Sequence, residues 1–560
     1  MEEKIRGIVE RALERLGAKD ISFAVEWPAD MTHGDFAVNA ALAASKQLGK
    51  SPREIAEVLQ TALSHELADD AQRVEVAGPG FVNITLSAAA LARSLQDALH
   101  APESWGRNDS HTGKRVMIEY GNPNPFKEMH LGHLVGTIIG ESLSRLEEFS
   151  NAHVYRDTFG GDVGPQVAKA LWVFLRDGVT DIASAAEIGK AYTQGSSAYD
   201  ESETAKAEID ALNTRIYALV EKQDQAQSLP EEDRALLYLW QKGREVSMEE
   251  FNRLFTLLGT HYDFTFFDSD TTQPGLEAVR DAVTRGVLEE SEGAIIYRGE
   301  KHGLHTLVFV TSRGTPTYET KDVGLAFLKE MRLPTDEVVI LTAVEQQGHF
   351  KVVLAALAEI APALAAKMRH ISHGLLTLTT GKMSSRKGNI ITGRELISEV
   401  IEAAGARNPD PVVAEQVAIG ALKYMILRSA PGGSIIFDPE KSLALEGDSG
   451  PYLQYALVRA KTLLEKSKVK PELSSALAPS ILARLITRFP GVVQKAQELS
   501  GPHIIATYLT QLAGEWNSYY ANQRIIGSED EAMKLALVES FVSTMQNGLW
   551  LLGIPTPKKM

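Results

Sequence analysis

The stretch Arg115 to Leu146, RVMIEYGNPNPFKEMHLGHLVGTIIGESLSRL, restricts the fold of this chain more than any other. Arg115 to Tyr120 is a short apolar and β-branched run of the kind that forms a strand. Pro123 and Pro125 can neither donate to a sheet ladder nor continue a helix, so the backbone must turn there. Leu131, Leu134, Ile138 and Leu143 then recur at helical spacing. Strand, turn and helix in this order predict an open α/β sheet, in which ligands collect where strands end and helices begin. The free N–H groups and positive dipole end of such a helix suit a phosphate chain. Gly132, Gly136 and Gly140 stand four apart on one helix face, bare enough for a flat ring or another backbone to approach.

His130-Leu131-Gly132-His133 carries the chemistry of this stretch. Its spacing sets two imidazoles side by side in the first turn, able to donate to phosphate oxygens and to the oxygen on which charge develops as pyrophosphate leaves. Such a pair can also be a surface feature or half of a metal site. Zinc has little support: the chain has no cysteine, and the pairs His302/His305 and His370/His373 lack an obvious third ligand. Downstream, Gly381-Lys382-Met383-Ser384-Ser385-Arg386-Lys387-Gly388-Asn389 sets three cations among small hydroxyl residues. It lies between the apolar LLTLTT run and a helix opened by a Thr392-to-Glu395 capping box. Alone it reads as a basic surface turn, or as a loop that folds over a triphosphate.

In this order, and about 250 residues apart, the two stretches resemble the HIGH and KMSKS signatures of class I aminoacyl-tRNA synthetases. A narrower resemblance, to the arginyl-tRNA synthetases, covers nearly the whole chain. It rests on Glu119, Asn124, the run Lys127-Glu128-Met129-His130 with the GHL and TIIGE that follow, and Gly161-Asp162-Val163-Gly164-Pro165-Gln166, similar to that family's GDWGxQ with Val163 in place of Trp. Tyr318-Glu319-Thr320-Lys321-Asp322, Gln346 before His349, DPEKSLALEGDSGPYLQYA and the terminal LGIPTPKKM add to it.

The resemblance implies a multidomain α/β protein: a small α+β N-terminal domain that touches tRNA (1–108), a Rossmann-like parallel-sheet catalytic domain (109–395) and an all-α anticodon-binding bundle (396–560). The interval 175–260 reads as a helical, Ala- and Glu-rich connective insertion, too short for an editing domain. The implied activity is ATP-dependent activation of L-arginine to arginyl-adenylate, then transfer to the terminal adenosine of tRNA(Arg). His130 and His133, with Gly132, Gly136, Met383, Ser384 and Ser385, would bind ATP. Lys382, Arg386 and Lys387 would neutralise the pyrophosphate, with Mg2+ accompanying ATP and no prosthetic group. Ser385 stands where the signature has lysine, and the family's lysine before HIGH, here Lys127, would take over. Glu119, Asn124, Tyr318, Asp322 and Gln346 would hold arginine, since a guanidinium fork is met by carboxylates two bonds at a time. Unpaired, partly enclosed acids are expected there; the plain alternative has Glu119 capping its strand and Asp322 paired with Lys321 or Lys329 on a solvated helix. Tyr520, Arg524 and Lys558-Lys559-Met560 would contact tRNA.

Periodicity gives the rest. Ile5, Val9, Ala12, Leu13 and Leu16 make a helical face; Ile21–Trp27 reads as a strand, Phe36–Leu48 as a helix, Ser51-Pro52-Arg53-Glu54 as a helix start, and Gly78-Pro79-Gly80 as the turn of a hairpin. From about residue 400 strand signals nearly vanish, and helices are predicted over Val413–Leu427, Tyr452–Glu465, Ile481–Leu499, Ile504–Tyr520 and Glu529–Leu552. Trp516, Tyr519, Tyr520, Asn522, Gln523 and Arg524 offer aromatic faces and amides for splayed bases, or are core. A formal net charge of −16 counts against nonspecific nucleic-acid binding, so RNA must be held by shape and chosen contacts. No apolar run is long enough to span a bilayer and Met1-Glu2-Glu3-Lys4 is no signal peptide, which, with zero cysteine, fits a cytoplasmic protein; the resemblance implies a monomer. Glutamyl or cysteinyl relatives, and a non-catalytic tRNA-binding relative, remain the competing classes.

Overall fold

The computed structural model describes residues 1–379, 392–473 and 479–560, so Lys382, Met383, Ser384, Ser385, Arg386 and Lys387 lie outside the described residues. Helix Glu2–Arg15 buries Ile5, Ile8, Val9, Ala12 and Leu13. Helix Pro52–Glu66 opens on a complete capping box, Ser51 and Glu54 each closing on the other's backbone N–H, with proline in the first turn. These helices cover one antiparallel sheet of β1 (Val25–Glu26), β2 (Phe36–Val38), β3 (Ala71–Ala77) and β4 (Phe81–Leu86), in the order β1-β2-β4-β3. The sequence reading is corrected twice here. The predicted strand Ile21–Trp27 shrinks to two residues, and the predicted helix Phe36–Leu48 is a strand, Phe36–Val38, followed by a helix, Ala40–Leu48. Alanine-rich periodicity hid the break; the strand exists because Phe36 and Val38 pair with β4, a tertiary contact.

The next strands are β5 (Arg115–Glu119), β6 (His153–Gly160) and β7 (Phe264–Phe267), then a small antiparallel sheet of β8 (Glu289–Ser291), β9 (Ala294–Tyr297) and β10 (Leu307–Val310), then β11 (Glu337–Ala343) and β12 (Met368–His373). Five of them make one parallel sheet, ordered β12-β11-β5-β6-β7. The chain leaves β5 toward β6 on one side, while β11 lies on the other, so the strand order reverses at β5. A crevice therefore opens beyond its carboxyl end. Past residue 400 the expectation of helices alone also needs correction: β14 (Ile435–Phe437) pairs in parallel with β13 (Leu376–Leu378). Three residues are too few for a periodic signal.

Helices Pro411–Leu427, Gly450–Lys466, Ile481–Glu498, Pro502–Asn522 and Glu531–Leu551 form the C-terminal bundle. Arg145 and Ser142 tie it to helix Leu131–Phe149, and Lys423 of the bundle closes on the same chain end. The last helix ends in carbonyls that have no partner within the helix. Arg145 donates to Trp550 O at 2.9 Å, Ser142 to Leu551 O at 2.8 Å and Lys423 to Gly553 O at 2.5 Å. Arg145 and Arg156 both bond Glu141, and together they overcome the burial that opposes its charge and hold its carboxyl down to about 2. Lys423 has no such carboxylate in contact; burial, then Arg145, lower it to about 7.

Candidate active site

Two residues other than glycine take left-handed backbone in the turn after β5, Asn122 at φ 52° and Phe126 at φ 64°. Such conformations persist only where the surroundings enforce them. The Asn122 amide donates to Glu119 Oε1 at 2.8 Å and its oxygen accepts from Phe159 N at 2.9 Å. Phe126 is fully buried and its N–H donates to Ser247 Oγ at 3.1 Å. A Cβ on Gly243 would fall 2.3 Å from the Phe126 ring. Gly243 and Ser247 lie on helix Glu231–Leu257, which with Ala185–Glu201 and Glu203–Val220 makes up the insertion. Burying one such aromatic is worth about 1.5–3 kcal/mol, so the insertion fixes the turn.

His130 caps helix Leu131–Phe149, and its Nδ1 accepts from Gly132 N at 3.1 Å and His133 N at 3.4 Å. His133 Nδ1 accepts in return from His130 N at 3.4 Å, and the rings stack at 3.5 Å. Burial lowers the pKa of both, His133 well below its usual value. Each neutral ring with Nδ1 as acceptor carries its proton on Nε2, a donor for an anion beside the helix N-terminus. On the glycine face, a Cβ at Gly140 would fall 2.1 Å from Tyr120 Cγ, and one at Gly136 would meet His373 Nε2 at 3.4 Å and Gly121 N at 3.5 Å. Protein fills the face at Gly140, while at Gly136 the neighbours stand at ordinary contact distance. At Gly132 the His130 ring alone is within reach among the described residues. Gly393 N donates to Met129 O at 2.7 Å and Thr392 bridges His130, so the start of helix Gly393–Gly405 sits on the histidine turn.

One cavity of about 360 Å³ brings these groups to the predicted acids: Glu119, Asn124, Lys127, Tyr318, Asp322 and Gln346 border it together with His130, Gly132, His133 and Gly136. Tyr318 and Asp322 share a face of helix Tyr318–Arg332, as their spacing predicted. The acids, however, are not unpaired. Glu119 Oε2 accepts from Lys329 at 2.6 Å, and Lys329 also lies 2.7 Å from Asp157 Oδ2. Asp322 Oδ2 meets His349 Nε2 at 2.5 Å, Glu319 lies 3.6 Å from the same ring, and Lys321 holds Asp268 at 2.7 Å. The solvated-helix alternative for Asp322 fails as well, since neither Lys321 nor Lys329 is its partner. Buried carboxylates without cations would cost several kcal/mol each, which is why the fold pairs them. Burial opposes the charge on His349, but its bonds to Asp322 and Glu319 outweigh that and raise it to about 9. Asp322 is itself raised by burial, against the pull of His349.

Asn124 commits its oxygen to Gly161 N at 2.7 Å, leaving its amide for the cavity. Lys127 reaches toward the insertion, its ammonium 5.1 Å from the Tyr192 ring centroid. The segment Gly161–Gln166 is a scaffold: Asp162 takes Ser269 N at 3.0 Å and Arg244 at 2.9 Å, while Gln166 donates to Gly161 O at 3.0 Å. The sequence reading gives no site role to Lys329, Asp157, Asp268, His349 or His373. Lys329 stands seven residues after Asp322, on one helical face with it, a signal that was available.

At the C-terminal bundle, Arg459 lies over two rings, 4.6 Å from Tyr520 and 5.3 Å from Tyr455. Tyr455 and Met560 border a second cavity of about 530 Å³ with Arg407 and Leu443–Glu446. Arg524 is exposed, its Nε 3.3 Å from Ile526 O, and Lys559 lies 3.5 Å from Asp410. Trp516 is core, stacked on Phe541 at 4.9 Å.

Comparison with known proteins gives three matches along the chain. Residues 94–438 match the family described as tRNA synthetases class I (R), catalytic domain; 453–560 the DALR anticodon binding domain; and 3–86 the arginyl tRNA synthetase N terminal domain. An arginine–tRNA ligase of Limosilactobacillus reuteri (strain DSM 20016) is 29% identical, over 100% of this chain and 99% of its own. One of Lactobacillus delbrueckii subsp. bulgaricus is 30% identical over 97% and 96%. Among solved structures, the Thermus thermophilus arginyl-tRNA synthetase shares the fold at a TM-score of 0.82 and 24% identity, covering 100% of both chains. The Plasmodium falciparum enzyme does so at 0.81 and 20%, over 100% of this chain and 99% of its own.

Proposed function

Because this chain belongs to the arginyl-tRNA synthetases, as an arginine–tRNA ligase of class I, we propose that it forms arginyl-adenylate in the 360 Å³ cavity and passes the arginyl group to tRNA(Arg). The observation that carries this reading is the shared cavity: a phosphate-ready helix start and a guanidinium-ready acid cluster open into the same space. The arginine carboxylate attacks the α-phosphorus of ATP in line, the bond to the bridging oxygen breaks, and pyrophosphate leaves. A hydroxyl of the terminal adenosine then attacks the arginyl carbonyl and AMP departs. Neither step needs a protein nucleophile; positioning and charge stabilisation suffice.

The Nε2–H groups of His130 and His133 donate to the phosphates, which arrive with Mg2+ as their counter-ion. Lys127, at the cavity edge, stands in for the cation missing at Ser385, and Lys382, Arg386 and Lys387 meet the pyrophosphate. Around the amino-acid end, Glu119, Asp157, Asp268, Glu319 and Asp322 face Lys321, Lys329 and His349 among the described residues. That is five acids against three cations, an excess of acid that suits a cationic substrate. Asp322, Glu119 and Tyr318 take the guanidinium, while Asn124 and Gln346 orient the α-amino and carboxylate end. The insertion contributes helices only, consistent with no editing in cis. Tyr520 and Tyr455, joined through Arg459, with Met560 bordering the same cavity as Tyr455, suit a splayed anticodon base. The functional boundaries are 1–108, 109–395 and 396–560, and the enzyme works as a cytoplasmic monomer. Arginine-dependent ATP–pyrophosphate exchange with tRNA present tests this: arginine supports exchange, and glutamate or lysine doing so instead would overturn the assignment.

A further inference from the structure

Glu119 and Asp157 close adjacent parallel strands in direct register, one at the end of β5 and the other opposite it in β6. Both are buried, at 2% and 0% exposure, and two carboxylates so close cannot both be ionised unaided. One ammonium answers them. Lys329, 2% exposed, enters from helix Tyr318–Arg332, 2.6 Å from Glu119 Oε2 and 2.7 Å from Asp157 Oδ2. Neither Asp157 oxygen accepts a hydrogen bond in good geometry, whereas Glu119 is bonded at both oxygens, to Lys329 and Asn122. The lysine is thus hydrogen-bonded to Glu119 and in ion-pair contact with Asp157. Glu119 borders the cavity and Asp157 does not.

We infer that Lys329 is the positioning residue of the arginine pocket, the buried ammonium that holds the Glu119 carboxylate in place for the substrate and offsets the charge of the Glu119–Asp157 pair. This rests on the assignment of Glu119 to arginine. Lys329 reaches neither cavity nor substrate and acts through the carboxylate. The charge balance agrees: burial drives Asp157 up, Lys329 pulls it back and Glu119 raises it again, to about 7. The other titrating groups that face Glu119 are Asp322 from the helix of Lys329 and His370 from β12, with His349 bound to Asp322.

Without the ammonium, the buried Glu119–Asp157 pair shares a proton at neutral pH and recovers its full charge, and with it arginine binding, as the pH rises. The test is the arginine KM in aminoacylation by the full-length enzyme from pH 6.5 to 8.5, for Lys329→Met, Glu119→Gln and Lys329→Met/Asp157→Asn. Each is taken as a ratio to wild type at the same pH, so that His349 and the substrate amine, which titrate in all of them, cancel. Lys329→Met is expected to raise the arginine KM by on the order of a hundredfold at pH 6.5, with the excess shrinking about tenfold per pH unit and the ATP KM unmoved. Glu119→Gln raises it equally at every pH. Adding Asp157→Asn to Lys329→Met removes the competing carboxylate, so it restores part of the affinity and folds even where the single variant does not. A pH-independent loss in Lys329→Met, or no recovery in the double variant, overturns the role of Lys329 while leaving Glu119 in the pocket. An unchanged KM in Glu119→Gln overturns both.

Discussion

The two ends of the catalytic cavity are built by opposite means. The nucleotide end comes almost entirely from one continuous stretch, where His130 and His133 cap a helix and the capping bonds themselves fix which ring nitrogen carries the proton. The amino-acid end is assembled from distant elements, β5, β6, helix Tyr318–Arg332 and the helix of His349, and its acids are held by buried cations. Local hydrogen bonding organises the first and long-range charge pairing the second. Phosphate is a strong anion that needs a few donors in fixed positions. A guanidinium needs acids that stay charged in a low-dielectric site, and they do so only with counter-ions close by.

This contrast predicts which kinetic constant each change moves. The largest effect is expected for His133→Ala, which removes an Nε2–H donor and a cap: kcat should fall about 10²–10³-fold with the arginine KM nearly constant. Next, Asp322→Asn should raise the arginine KM roughly a hundredfold and spare the ATP KM. Steady-state kinetics with each substrate varied checks both, and an ATP KM that moves in step with arginine in Asp322→Asn would erase the division of the cavity. Lys127→Ala should slow turnover by about ten- to a hundredfold at unchanged arginine KM; intact turnover would mean that Ser385 is compensated elsewhere. Tyr520→Ala, outside the cavity, should weaken tRNA binding roughly tenfold, visible in the tRNA KM.

The smallest effect concerns pH. His349 is raised in the folded protein to about 9 from an ordinary value near 6.5. Its contribution to stability is therefore complete below about pH 6.5 and disappears as the pH rises through 9. Melting temperature should decline over that window by a few degrees at most, and His349→Gln should flatten the decline. A slope unchanged by that substitution would show the pair with Asp322 to be too weak to matter.

Much of the nucleotide end was legible beforehand because its determinants are short-range. Proline punctuation, helical periodicity and the His130–His133 spacing fall within one stretch, so β5 and the helix after it were read correctly. The acids were legible as residues but not as a structure: Asp322 was singled out, yet its partner His349 and the Lys329 beneath Glu119 were not, since nothing local says which cation meets which carboxylate. The same limit explains the fold corrections. Phe36–Val38 and Ile435–Phe437 are strands only because neighbouring strands are there to pair with.

By itself, then, the sequence determined the class of sheet, the turn at its centre, the helical C-terminal domain and the residues fit to meet phosphate and guanidinium, because backbone sterics and periodicity act over a few residues. The tertiary structure alone decided how the charges are shared. Glu119 and Asp157 come into register only when β5 pairs with β6, and Lys329 reaches them only once its helix packs beneath. Electrostatic energy in a protein interior depends on separations of a few ångströms between groups far apart in the chain, and no local pattern encodes those distances.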